Sequence, residues 1–232
     1  MKIILLTLST FFALAIGEST AAQETPNDTE FNIWTDLSIT MPLVKRETAD
    51  GKKFDKLSLT LNSTLRLGRD NLRPVDERIG MGLNYRVNKY LSLSPDIFYR
   101  GAQPFKGGKG YETRVRFAAT VQNKWSNFSI DDRNQVEYRF RNSKKNDVRY
   151  KNRLRLKVPV RKNGKEIFTP FASTEPYYNI TTKKFTRNEL LVGASKSINK
   201  NFGTDIYYVL VNDRDFPKTV HGAGISLKIK ID

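Results

Sequence analysis

Tyr111-Glu112-Thr113-Arg114-Val115-Arg116-Phe117 alternates with period two. Successive strand side chains point to opposite faces, so one face carries Tyr111, Val115 and Phe117 and the other Glu112, Arg114 and Arg116. The next segments repeat the pattern. Val136, Tyr138 and Phe140 oppose Gln135, Glu137, Arg139 and Arg141; Val148, Tyr150, Leu154, Leu156 and Val158 oppose Arg149, Lys151, Arg153, Arg155 and Lys157. Neighbouring strands with one apolar and one charged face need a different solvent on each side. A closed barrel in a bilayer, with a wet lumen, supplies both.

Further from this centre the apolar faces stay nearly unbroken. Leu57, Leu59, Leu61, Leu65 and Leu67 share one side, then Ile79, Met81, Leu83, Tyr85 and Val87, whereas Gly80, Gly82 and Asn84 take the opposite side. Alternating runs fall near 31–41, 55–68, 76–88, 90–101, 110–124, 126–141, 147–161, 166–180, 184–198, 202–213 and 218–231. Asn88-Lys89, the corner from Lys124 to Asn127, Lys162-Asn163-Gly164-Lys165 and Asn199-Lys200-Asn201 read as tight turns. Between them lie longer polar connections at Gly68–Val75, Gly101–Gly110, Asn142–Asp147 and Asn212–Lys218. Short turns at one rim and longer loops at the other are the asymmetry of outer-membrane barrels. Eleven runs conflict with the even strand numbers of bacterial single-chain barrels. The expectation is therefore ten or twelve strands, with the 31–41 run, followed by Pro42 and a charged stretch, a partial strand, a plug or half of a missed hairpin.

The chain begins as an exported protein does. Met1-Lys2 is basic, Ile3 to Ile16 is apolar, and Thr20-Ala21-Ala22 is a small-residue cleavage site, so residues 1–22 read as a signal peptide and 23–232 as one β-barrel domain. An apolar core of about 14 residues is short against the roughly 20 that a spanning helix needs. Cysteine is absent, so an exported domain of this size must hold together without disulfides. A net charge of +16 would suit nucleic acid, but export argues against that partner, and the cations recur at alternate strand positions rather than as a helical stripe. Aromatic residues test the membrane reading, because amphipathic rings gather at the headgroup levels. Tyr90, Tyr111, Trp125, Phe128, Tyr177, Tyr178, Tyr207, Tyr208 and Phe216 lie towards strand ends, where such girdles belong.

The mature chain resembles the bacterial outer-membrane barrel family known as DUF2490 through weak motifs in a fixed order. These are Trp34, Leu57-Ser58-Leu59-Thr60 leading to Arg66, Gly82-Leu83-Asn84-Tyr85, Glu112-Thr113-Arg114, Arg133 with Glu137-Tyr138-Arg139, Arg149 with Arg153-Leu154-Arg155, and Glu175 in a Phe-rich strand. It departs from the family's Asn-Arg-Leu pattern at Arg187-Asn188-Glu189-Leu190, and it ends on Lys230-Ile231-Asp232 rather than on an aromatic residue. The resemblance implies an all-β, transmembrane, antiparallel up-and-down barrel of about ten to twelve strands in the bacterial outer membrane. Its implied partners are outer-membrane lipid and the assembly machinery of that membrane.

The residues themselves predict a lumen-facing charged network of Arg66, Glu112, Arg114, Arg116, Arg133, Glu137, Arg139, Arg149, Arg153, Arg155, Glu175 and Glu189. Two functions follow. Confined guanidiniums attract small anionic solutes, giving a narrow anion-favouring pore; alternatively, the glutamates pair with the arginines in cross-strand ladders and plug the barrel. The plugged reading takes precedence because barrels of this size can be filled by their own side chains.

An outer-membrane lipid-modifying enzyme is the competing class. His221 is the only histidine and shares the parity of Ala223, Ile225 and Leu227, while Ser195 and Ser226 fall on the inward parity, so no nucleophile, base and oxyanion set is foreseen. No His, Cys and carboxylate spacing suits a metal, and no cofactor is implied. Gly107-Gly108-Lys109-Gly110 lacks the following helix that a phosphate loop needs. The sequons at Asn27, Asn62, Asn127 and Asn179 read as chance. A soluble exported ligand-binding barrel would place apolar residues inside and charges outside.

Overall fold

The computed structural model describes residues 28–48, 51–68, 72–103, 110–142, 144–215 and 217–231. The expected signal peptide, the Asn27 sequon, Gly107 to Lys109 and Phe216 lie outside the described residues. Among those described, twelve strands and no helix occur: β1 (Thr29–Glu47), β2 (Lys53–Gly68), β3 (Arg73–Arg86), β4 (Leu91–Ala102), β5 (Gly110–Lys124), β6 (Ser129–Arg141), β7 (Asp147–Lys157), β8 (Val160–Lys162), β9 (Lys165–Asn179), β10 (Lys184–Ser197), β11 (Phe202–Asp213) and β12 (Thr219–Lys230).

Eleven of them form the ring. The exception, β8, is a three-residue extension that pairs with the start of β9. It splits the expected 147–161 run because Pro159 lacks the amide N–H that would continue the ladder. Each remaining strand pairs antiparallel with its sequence neighbours, and β1 closes the ring on β12 in parallel, from Thr29↔Thr219 to Thr40↔Lys230.

Eleven lies within the expected range of about ten to twelve strands, and only the requirement of an even number is corrected. In an up-and-down ring with an odd number of strands, the first and last run in the same direction, so a parallel seam is the only way to close it. The 31–41 run is not a partial strand or half a hairpin either. It is a 19-residue strand that passes Pro42 through register shifts between Pro42 and Val44 and between Val44 and Lys45. As a result, β1 enters at the loop rim, where Thr219 N–H donates to the Asp28 carbonyl at 2.9 Å, while β12 leaves at the tight-turn rim.

Local chemistry builds that rim. Asn88 Oδ1 accepts from the amides of Tyr90 and Leu91 at 2.8 and 2.9 Å, and Asn199 Oδ1 accepts from those of Asn201 and Phe202, both at 2.9 Å. Asn163 and Gly164 have φ of 51° and 74°, the pair of left-handed residues that a two-residue type I′ hairpin requires. One loop-rim connection, residues 180–183, is as short as these turns.

The faces sort as the alternation predicts. Val115 is 48% and Phe117 52% exposed on the outside of β5, while their neighbours Glu112 and Arg114 are buried inside the ring. Phe31, Met81, Ile97, Phe140, Val192 and Ile206 likewise stand out on the outer wall. Such a surface is inside out relative to a soluble ligand-binding barrel and matches a transmembrane one. Every ring strand has at least 11 residues, enough to cross a hydrocarbon core at a tilt, which takes about 9–11 residues.

Rings of the aromatic girdle occur at both levels. Trp125 stacks on Phe128 with centroids 4.6 Å apart at the tight-turn rim, and Tyr99 lies 6.0 Å from Tyr111 towards the loop rim. Tyr177 and Tyr207 do not belong to it: both point into the lumen and are buried.

Candidate functional site

On the lumen face of β6 Glu137 is 0% exposed. Its Oε1 accepts from Arg149 Nε and Nη2 at 3.0 and 2.6 Å, its Oε2 accepts from Lys151 Nζ at 3.4 Å, and Arg114 Nη1 stands 3.7 Å away. The carboxylate is thus enclosed by cations from the strands on both sides, β5 and β7. A second carboxylate, Glu112, accepts from Arg114 and Arg139 at 2.7 Å each and from Arg100 at 3.2 Å. A third, Asp76, takes Arg78 at 2.7 Å and Arg100 at 2.6 Å, with Arg66 at 3.9 Å.

Because Arg100 and Arg114 each reach two carboxylates, the three centres join into one belt across β2 to β7. Towards the loop rim Asp147 continues it, ion-paired with Arg139 and Arg141 and accepting from Asn179 Nδ2 at 2.6 Å. On β10 and β11 Arg187 donates to Asp213 at 2.6 Å and to Glu189 at 3.2 Å, and Arg133 of β6 reaches past β7 to donate to Glu175 of β9 at 2.6 Å. Arrays like this fix which side chains share the lumen; their net stabilisation is small, because desolvating each ion offsets most of the attraction.

The opposite wall is apolar. Trp34, Phe171, Tyr207, Val209, Val211 and Val220 form a buried cluster inside the ring, with Leu191 against it. Large rings fit inside the barrel, on this wall and beside the belt, because glycines face them. A Cβ on Gly224 would lie 2.2 Å from Tyr207 Cζ, and one on Gly80 would lie 2.6 Å from Phe98 Cγ. Tyr207 then donates to Asp36 at 2.6 Å, while Arg116 stacks its guanidinium 3.8 Å from the Phe98 ring and Arg66 stacks 3.5 Å from Trp34.

All twelve residues of the expected network face the lumen, but they do not form one ladder. Arg116 lies opposite Glu137 in register and yet bonds both oxygens of Asp96 on the other side. Glu189 is held by Arg187 of its own strand rather than by a residue of that set. Arg153 and Arg155 have no carboxylate in ion-pair range among the described residues, and Arg155 lies 4.6 Å over the Phe171 ring. The ion pairs inside the ring also involve Asp76, Arg78, Asp96, Arg100, Asp147, Lys151, Arg187 and Asp213, which the expected set omits. Asp76 and Arg78 share the parity of Gly80, Gly82 and Asn84, so the alternation itself could have supplied them.

Below the belt, towards the tight-turn rim, the inward positions become small: Ser58, Thr60, Asn62, Ser92, Ser94 and Thr120. Here a cavity of about 500 Å3 opens, lined by Gln122, Ser129, Asp131, Lys157, Glu166 and Thr169 together with rim residues. His221 lies on the outer face between Phe31 and Leu210, with Nδ1 2.5 Å from the Tyr208 hydroxyl; Ser195 and Ser226 point into the lumen.

No curated protein matches this chain. Among solved structures it is similar to the anion-selective porin from Comamonas acidovorans, at 13% identity and a TM-score of 0.38 over 78% of this chain and 58% of that one. This chain therefore spans well under two thirds of that porin's length. Similarity to LpxR from Salmonella typhimurium runs at 13% identity and a TM-score of 0.44, over 78% of this chain and 84% of that one. For the NanC porin the figures are 10% identity and 0.44, over 81% and 90%. The family model for a protein of unknown function, DUF2490, matches residues 31–220, which span the ring from β1 to the start of β12. The chain belongs to the DUF2490 family.

Proposed function

We propose that this protein is an integral outer-membrane barrel of the pore kind whose lumen is closed by its own side chains, exported by a signal peptide cleaved after residue 22. The carrying observation is Glu137, a carboxylate side chain on the lumen face of β6 with no exposed surface, ringed by Arg114, Arg149 and Lys151. Eleven strands enclose more space than the roughly eight whose interior ordinary side chains fill, and far less than the 16 or so of an open porin. Arginines and an apolar cluster of Trp, Phe and Tyr take up that difference. The tight-turn rim, with its cavity, faces the periplasm in this reading, as short turns do in such barrels.

An open anion-favouring pore is less well supported, because Arg114, Arg116 and Arg139 are each committed to carboxylates. Conductance of the purified protein in planar bilayers under a salt gradient tests the proposal. The unmodified barrel is expected to give no sustained conductance steps, whereas removing the central side chains in Arg114→Ala/Glu137→Ala/Arg149→Ala is expected to produce them. Steady anion-selective steps from the unmodified protein would overturn closure.

A further inference from the structure

The lumen wall made by β6, β7 and β9 carries buried donors that no acceptor among the described residues answers. They are Arg133 Nε, Gln135 Nε2, Arg153 Nε, Arg155 Nε and the Ser173 hydroxyl. Gln135 is 2% and Ser173 4% exposed, so these side chains are deep in the wall. Register joins them into one patch: Arg133 faces Arg153, and Arg155 lies between Asp131 on one side and Ser173 on the other. Directly opposed residues place their Cβ atoms about 4.5–5.5 Å apart, within reach of a single small ligand.

The nearby carboxylates are already taken. Glu175 binds Arg133 at 2.6 Å and Asp131 pairs with Lys157, which leaves Arg153 and Arg155 as cations in excess. An assembly of surplus guanidiniums and orphan donors is complementary to a group that is all acceptor and negatively charged. The cavity at the tight-turn rim leads to it, since its lining includes Asp131, the residue opposite Arg155.

We propose that this patch is a binding site for a small oxyanion, entered from the tight-turn rim and gripped by Arg153 and Arg155, with Gln135 and Ser173 donating to its remaining oxygens. The proposal rests on the lumen placement in the reading above and deepens it by giving the closed barrel a ligand class. Its position inside the ring selects a free solute over a lipid headgroup, which would meet only the outer wall. Guanidiniums suit the role because their planar forks meet two oxygens at once.

Calorimetric titration of the full-length folded protein in detergent with inorganic phosphate, at constant ionic strength set by chloride, tests it. Saturable binding is expected, weakened at least tenfold in Arg153→Gln/Arg155→Gln and unchanged in Lys228→Gln, where the lost cation is one that Asp205 neutralises elsewhere in the lumen. Should the double variant fail to fold, Ser173→Ala and Arg155→Lys are the substitutes, each expected to weaken binding several-fold. Absence of saturable phosphate binding by the unmodified protein, or equal affinity in the folded variants, would overturn the site. Conductance of the unmodified barrel is a separate readout: a conducting barrel that still binds phosphate refutes closure and leaves the site standing.

Discussion

Replacing Glu137 by glutamine leaves the volume nearly unchanged and removes the charge at the centre of the belt. Three hydrogen bonds end on this carboxylate, two from Arg149 and one from Lys151, and Arg114 adds an ion pair at 3.7 Å. Hydrogen bonds to charged groups contribute about 1.5–3 kcal/mol each, but these share one acceptor group and do not add. The larger effect comes from the cations left behind: Lys151, with almost no exposed side chain, loses the carboxylate it pairs with, while Arg114 retains only Glu112. Removing one partner of such a buried pair costs about 3–5 kcal/mol, the loss expected for Glu137→Gln. Equilibrium unfolding by guanidinium in lipid vesicles, with the slope held common, measures it. Glu47→Gln, on the exposed end of β1, is the control and should change stability by no more than about 0.5 kcal/mol. A loss below about 1 kcal/mol for Glu137→Gln, the range of a solvent-exposed pair, would refute the idea that the lumen is dry and ion-paired at this level.

Two further outcomes follow from the same geometry. The chain has no cysteine, so nitroxide labels can be placed singly at Val115→Cys and Arg116→Cys; oxygen dissolved in lipid should relax the first more strongly, and a water-soluble nickel chelate the second, and the reverse order would place the charges against lipid. Gly80→Val would drive a side chain into the Phe98 ring and the Ile97 carbonyl, displacing Arg116 from its stack, and a loss of about 1–3 kcal/mol in the same unfolding assay is expected. Wild-type stability for this variant would show that the ring does not lie over the glycine.

Much of the architecture was legible because a strand's period of two is a local property. The runs at 110–124 and 202–213 coincide with β5 and β11, and most others end within two or three residues of the observed strands. The assignment of Glu112, Arg114 and Arg116 to one face needed nothing beyond counting. Legibility failed where both faces are apolar. In β11, Ile206, Tyr208 and Leu210 point out while Tyr207, Val209 and Val211 point in, so periodicity there cannot separate lipid from lumen, and ring chemistry alone groups Tyr207 with the girdle.

From the amino-acid order alone came the β-barrel, its two chemically opposite faces and the rim of tight turns, since alternation and turn residues act within a few positions of one another. Ring closure, pairing and vacancy among the charges were decided in three dimensions. The parallel seam joins residues about 190 positions apart in sequence, such as Thr29 and Thr219, and follows from strand parity, which no local segment encodes. Which arginine meets which carboxylate depends on side-chain reach across several strands: Arg116 turns away from Glu137 to Asp96, and Arg153 and Arg155 are left over because the acids beside them are already engaged. Identical guanidiniums, equivalent in the sequence, become structural or available for a ligand only through that competition.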